Sequence, residues 1–238
     1  SFKLWKKIAG LSEDKIIKPV SEPVFGPYLA RYRVHEGLIK GLKERGMKAT
    51  PGSGNKELAG VLDDQRGYSK EDKEWFVKEF QPYMSAYSRG SCAHEQRMWD
   101  HNWTDKFELI ALWINYMKEN EYNPPHTHNG QVTWVIFLET PDLDKERDEY
   151  VGRSVGPGAL TFHYGEASFP KWSVNQLTYI PKPGEMWIFP TLLEHSVIPF
   201  KTPGTRVSVS GNLVYMPPHM ESRVMPEEYD RMKPQPIK

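Results

Sequence analysis

Apolar positions along this chain recur with two different periods, and the change falls near Phe107. Before it, Phe76, Phe80, Tyr83 and Tyr87 follow at helical spacing behind Ser69 and Asp72, a pair that predicts a helix N-terminus. Glutamate or glutamine would be the more usual partner for that serine. Pro82 predicts a kink in the segment, and the four aromatics are read as core packing. Residues 35–45 predict an earlier helix, closed by Gly46 and preceded by a loosely alternating strand over residues 25–34. Residues 50–55 predict a loop.

After Phe107 the period shortens towards two. Residues 109–114 are apolar on both faces, as a buried strand is, and residues 131–138 are rich in β-branched and aromatic side chains. Further strands are expected at 159–163, 177–180, 185–189, 196–200 and 205–215, between turns bearing proline and glycine. The charged run 142–150 predicts an exposed loop, and the tail from Met216 a segment wrapping the surface. Many short strands behind a helical region predict a mainly β barrel or sandwich buttressed by helices. The expected organisation is a single domain: helical support over 1–106, a barrel core over 107–215 and a C-terminal tail over 216–238.

Composition narrows the function. Lys plus Arg and Asp plus Glu each number 31, so the overall basic footprint of a nucleic-acid binder is absent and such a partner is disfavoured. No apolar run is long enough to span a membrane. The segment from Ser1 to Ile8 is too short and too charged for a signal peptide. Cys92 is the one cysteine, which excludes an intramolecular disulfide and leaves a CxxC redox site without support. A cytoplasmic location is expected.

The chemistry concentrates in histidine. On a strand, residues i and i+2 share a face, so His126 and His128 would present two imidazoles side by side. Imidazole suits iron, zinc, copper and nickel. His195, beyond the turn and strand of Pro183 to Pro190, is the best candidate for a third ligand. Alone, a His-x-His beside Pro124-Pro125 is more simply a surface loop. A second pattern sits downstream: Arg206, Ser208, Ser210 and Asn212 share one strand face, and Val207 and Val209 the other. A plain solvent-facing strand alternates in the same way; turned into a barrel, Arg206 would offer a bidentate fork to a carboxylate. His35, His94, His101, His163 and His219 are read as surface or structural. Trp134 and Trp172 are candidates for a substrate mouth, with packing against a loop as the plainer reading.

Taken together, Trp113-Ile114-Asn115-Tyr116, Asn123-Pro124-Pro125-His126-Thr127-His128, Pro183-Gly184, Phe189-Pro190, His195 and Arg206-x-Ser208 resemble the iron(II)- and 2-oxoglutarate-dependent dioxygenases. The likeness spans about Phe107 to Tyr215. It implies a double-stranded β-helix, a jelly-roll-like barrel with helices outside. It also implies Fe(II) on His126, His128 and His195, with sites left for 2-oxoglutarate and O2. Arg206, with Ser208 beside it, would hold the distal carboxylate of 2-oxoglutarate, and Asn115 would touch the cosubstrate. The implied reaction hydroxylates a small-molecule or peptide substrate, by default an amino-acid side chain, with release of succinate and CO2.

The chain departs from that family at one position: His128 stands where an aspartate or glutamate is usual. His128 is then the third ligand, or two histidines bind with Gly130 at the carboxylate's place, or the site has degenerated or takes another metal. The spacing favours the first. A cupin-like metal enzyme without 2-oxoglutarate is the main rival, although the glutamate its motif wants after His-x-His is missing. A non-catalytic barrel used for binding is the third reading.

Overall fold

Two antiparallel sheets face each other in the computed structural model, which describes residues 26–52, 60–94, 104–150, 156–165 and 175–216. The larger sheet contains β1 (Ala30–Arg33), β2 (Thr50–Pro51), β3 (Gln65–Gly67), β4 (Phe107–Met117), β6 (Val132–Glu139), β9 (Glu185–Pro190) and β11 (Arg206–Tyr215). Their order across the sheet is β1-β9-β6-β11-β4-β3-β2. The smaller sheet runs β5-β10-β7-β8 and comprises β5 (Asn123–His126), β7 (Leu160–His163), β8 (Gln176–Tyr179) and β10 (Glu194–Val197). Three helices accompany them among the described residues: α1 (Glu36–Gly46), α2 (Lys70–His94) and α3 (Asp144–Asp148).

Because strand side chains alternate, the larger sheet is covered differently on its two faces. On one, Leu112, Ile114, Trp134, Ile136, Met186, Ile188, Val207 and Val209 join Leu38 and Leu42 of α1 and Phe76, Phe80, Tyr83, Met84 and Tyr87 of α2 in one core. Trp134 stacks on Phe76 and lies against Phe80, with centroids 5.5 and 4.5 Å away. Each such aromatic contributes on the order of 2–3 kcal/mol by leaving water. On the other face, Val135, Phe137, Trp187 and Phe189 meet Leu160, Phe162, Tyr179 and Val197 of the smaller sheet in a second core.

The predicted helix starts hold. Asp72 N–H donates to Ser69 Oγ and Ser69 N–H to Asp72 Oδ2, a reciprocal cap before α2. His35 caps α1, its Nδ1 accepting from Leu38 N–H. Several expectations change in detail. Gly46 ends α1 without leaving the right-handed region; a Cβ there would lie 2.5 Å from Ile114 Cδ1, so close packing is what requires glycine. Helix α2 has Pro82 inside it and runs on to His94, beyond the last of the four spaced aromatics. The first half also contributes strands β2 and β3, too short to show a period, and residues 144–148 of the charged run coil into α3 beside buried Leu143. Strand β10 starts at Glu194, two residues ahead of its predicted start at Ser196. The tail beyond Met216 lies outside the described residues.

Candidate active site

The mouth of the smaller sheet brings three histidines together. His195 on β10 pairs directly with His126 at the end of β5, so both rings come from one ladder rung. His128 lies beyond that strand, not on it as expected. Its backbone N–H donates to Thr191 O, which turns the loop so that the third ring reaches the other two. Ring centroids are 4.3 Å apart for His126 and His195, 4.9 Å for His126 and His128, and 5.0 Å for His128 and His195. One nitrogen from each ring lies within 4.8 Å of the others, and His128 Nε2 is 3.2 Å from His195 Nε2.

Backbone carbonyls fix the rings. His126 Nδ1 is 2.7 Å from Pro124 O and His195 Nδ1 is 3.0 Å from Leu193 O. A carbonyl only accepts, so each Nδ1 carries the proton and each Nε2 turns a lone pair inward, as metal-bound imidazoles are held. Burial, reinforced by the neighbouring imidazoles, pushes His128 and His195 down to about 3. Burial also lowers His126, against the opposing effect of Pro124 O. Three neutral nitrogen donors sharing one point suit a divalent transition metal. The set fits Fe(II).

The inner face of the larger sheet supplies the rest of a cavity of about 820 Å3. Arg206, Ser208, Ser210 and Asn212 of β11 all line it, so the alternating strand faces inward and not to solvent. Register organises the wall into rungs. One holds Gln65, Asn115, Ser208 and Phe137; the next Trp113, Ser210, Val135 and Trp187; a third Ala111, Asn212, Thr133 and Phe189. Phe189 carries the third rung to the metal site, its ring 4.9 Å from that of His195. Trp113 closes the other side, 5.7 Å from His128.

Arg206 is 4% exposed, and burial lowers its guanidinium to about 10, still protonated at neutral pH. One nitrogen donates to Gly158 O at 3.2 Å, the group lies 5.3 Å over the Phe137 ring, and buried Nε has no partner. No carboxylate lines the cavity among the described residues. A buried cation with an idle donor and no counter-ion is costly unless an anion joins it. In the adjoining rung, Gln65 Nε2 donates to Asn115 Oδ1 at 2.9 Å, directly beside Ser208.

All six residues singled out for metal and cosubstrate therefore line one cavity. Gln65 was not singled out, since it arrives from a three-residue strand with no pattern of its own. Trp134 borders the cavity, but its indole packs in the helix-side core, in keeping with packing as the plainer of its two readings. Trp172, His101 and His219 lie outside the described residues. His94 Nε2 bonds Gly26 O, and His163 Nε2 bonds Ser196 Oγ; neither joins the group of nitrogens that share one point.

Residues 111–212 match a protein-family model described as "Putative 2OG-Fe(II) oxygenase". That span holds Asn115, His126, His128, His195, Arg206 and Ser208. A comparison with curated proteins finds no match. Among solved structures, the chain is similar to the viral collagen prolyl hydroxylase of Paramecium Bursaria Chlorella virus-1, with 14% identity and a TM-score of 0.50 over 79% of this chain and 96% of that one. It is also similar to a Pseudomonas putida prolyl-4-hydroxylase, with 11% identity and a TM-score of 0.48 over 79% and 92%. At such identity the first likeness speaks for the fold alone, a double-stranded β-helix. The family match bears out the resemblance read from the sequence, and with it an enzyme using Fe(II) and 2-oxoglutarate.

Proposed function

We propose that this protein, whose residues 111–212 match the Fe(II)- and 2-oxoglutarate-dependent oxygenase model, hydroxylates an amino-acid side chain or small metabolite and releases succinate and CO2. His126, His128 and His195 hold the metal, and Arg206 and Ser208 hold the distal carboxylate of 2-oxoglutarate. One observation carries the reading: the buried, uncompensated Arg206 guanidinium in the cavity that also holds the histidine triad. A cupin-like enzyme without 2-oxoglutarate has no use for such a cation.

Bound Fe(II), with 2-oxoglutarate and O2, supplies the oxidising chemistry that couples decarboxylation to hydroxylation. The protein's contribution is placement. Arg206 pairs with a carboxylate in a fork geometry that fixes both distance and plane. Ser208 adds a hydroxyl one rung along, and Asn115, held by Gln65, presents its amide at the same level. Pro124 O and Leu193 O keep two of the imidazoles aimed before metal arrives. Phe162 and Phe189, packed edge to face at 4.8 Å, wall off water behind His195. Since no carboxylate lines the cavity among the described residues, a cationic lysyl or arginyl target finds no counter-ion there.

The test is an anaerobic absorption titration of apoprotein with Fe(II) and then 2-oxoglutarate, with His195→Ala as control. A weak charge-transfer band that needs both additions and vanishes in the variant supports the reading. Iron binding without any response to 2-oxoglutarate favours the cupin-like alternative. No iron binding leaves a scaffold.

A further inference from the structure

The third rung of the cavity wall contains a polar group with nothing to do. Asn212 is 7% exposed, lines the cavity, and its Oδ1 is buried without a hydrogen-bond partner. The hydroxyl nearest in register cannot serve it: Thr133 Oγ1 donates to Gly211 O at 2.9 Å. Its other register neighbour is Ala111. A buried carbonyl oxygen left unpaired loses its water and gains nothing, and this one, on the cavity wall, is placed where a bound molecule can supply the missing donor.

The backbone around Asn212 is built to aim it. Pairing between β11 and β4 slips immediately after this residue, from Asn212 opposite Ala111 to Leu213 opposite Leu109. A bulge of this kind turns a side chain relative to the regular pleat, and bulges gather beside active sites. At the other end of the stripe, the β11–β6 pairing slips between Val207 and Ser208. The two irregularities bracket Ser208, Ser210 and Asn212, a stripe that runs from beside Arg206 to the rung that ends under His195.

Building on the function proposed above, we infer that Asn212 is the specificity-determining contact for the substrate, and that it takes a secondary amide, the peptide group of an acylated amino-acid residue. A carboxamide offers an acceptor and a donor in one plane, and a peptide group returns a donor and an acceptor in the complementary order. The surroundings are neutral: Ala111 and Thr133 flank Asn212, Ser210 lies one rung away, and Trp113 beside it provides a flat apolar wall. The cations on the lining are Arg206, two rungs beyond Ser210, and Lys73, from the first turn of α2. A site that hydrogen-bonds an amide rejects an analogue lacking it far more strongly than an apolar pocket rejects a missing methylene.

The test uses the protein loaded anaerobically with Fe(II) and 2-oxoglutarate. Titrants are N-acetyl amino-acid amides carrying each of the twenty side chains, and the corresponding free amino acids. Binding is read by calorimetry, separately from the charge-transfer band. At least one capped amide is expected to bind, its free amino acid at least tenfold more weakly, and Asn212→Ala is expected to cost it tenfold or more in Kd. The Asn212→Ala band before titration should match wild type, which also shows the variant is folded. Three results would overturn the assignment: equal affinity in Asn212→Ala, equal affinity for free amino acids, or no capped amide bound. A weakened 2-oxoglutarate response in Asn212→Ala would overturn it too, by making Asn212 a cosubstrate contact. If wild type shows no band at all, the functional reading has failed, and calorimetry still decides whether Asn212 takes an amide.

Discussion

At the scale of single residues, the cavity is defined by groups whose partners are missing. Arg206 keeps a buried positive charge against one carbonyl and one aromatic ring. Replacing it with methionine removes a desolvated charge at little cost: the apoprotein should stay within about 1 kcal/mol of wild type, since only the bond to Gly158 O is lost. Binding of 2-oxoglutarate, followed by calorimetry, should fall below detection, while Arg206→Lys should lose about tenfold because a point charge replaces a fork. Glu146 shows the opposite economy. Burial raises its carboxyl, but bonds from Thr202 Oγ1, Lys201 N–H and Thr202 N–H outweigh it and hold the group below its ordinary value. A carboxyl depressed in the folded state adds stability above its unfolded pKa and loses it as pH falls through the folded one. Glu146→Gln should therefore cost about 1 kcal/mol at pH 7, and Tm measured against pH should show that difference shrinking below about pH 4.

At the scale of elements, strand β11 gives one face to the helix-side core and the other to the polar cavity wall, and glycine lets the core close against it. A Cβ on Gly211 would lie 2.3 Å from Trp134 Cζ2 and 2.5 Å from Ala111 O. Gly211→Ala pushes the indole off the strand and should cost about 1–3 kcal/mol by chemical denaturation, with a loss of near-ultraviolet dichroism from Trp134. The same strand shows what the sequence made readable. The alternation of Arg206, Ser208 and Ser210 with Val207 and Val209 fixed the strand and its two faces, but not which face pointed inward. That depends on α1 and α2 covering the valines, a fact of packing outside any local window. His195 could be chosen from its place after a turn and strand. The position of His128 off its strand could not, because it rests on a single bond to Thr191 O.

At the scale of the molecule, the parts that local pattern leaves open are short or neutral. Strand β3 has three residues and no period to detect, yet it delivers Gln65 to Asn115. Packing is the plainer reading of Trp134, but that its partners are Phe76 and Phe80 of α2 depends on a helix some fifty residues away. Long, strongly patterned segments such as β4, β6 and α2 were legible because each buries enough apolar surface to fix its own state. The larger sheet separates two tasks: its helix-facing side holds most of the large buried aromatics, and its inner side carries the polar wall. Inheritance can then act on the two sides independently. Changes at Ser210 or Asn212 remove no contact from the aromatic core, so descendants of this chain can drift towards new substrates while the scaffold that keeps them folded is passed on intact.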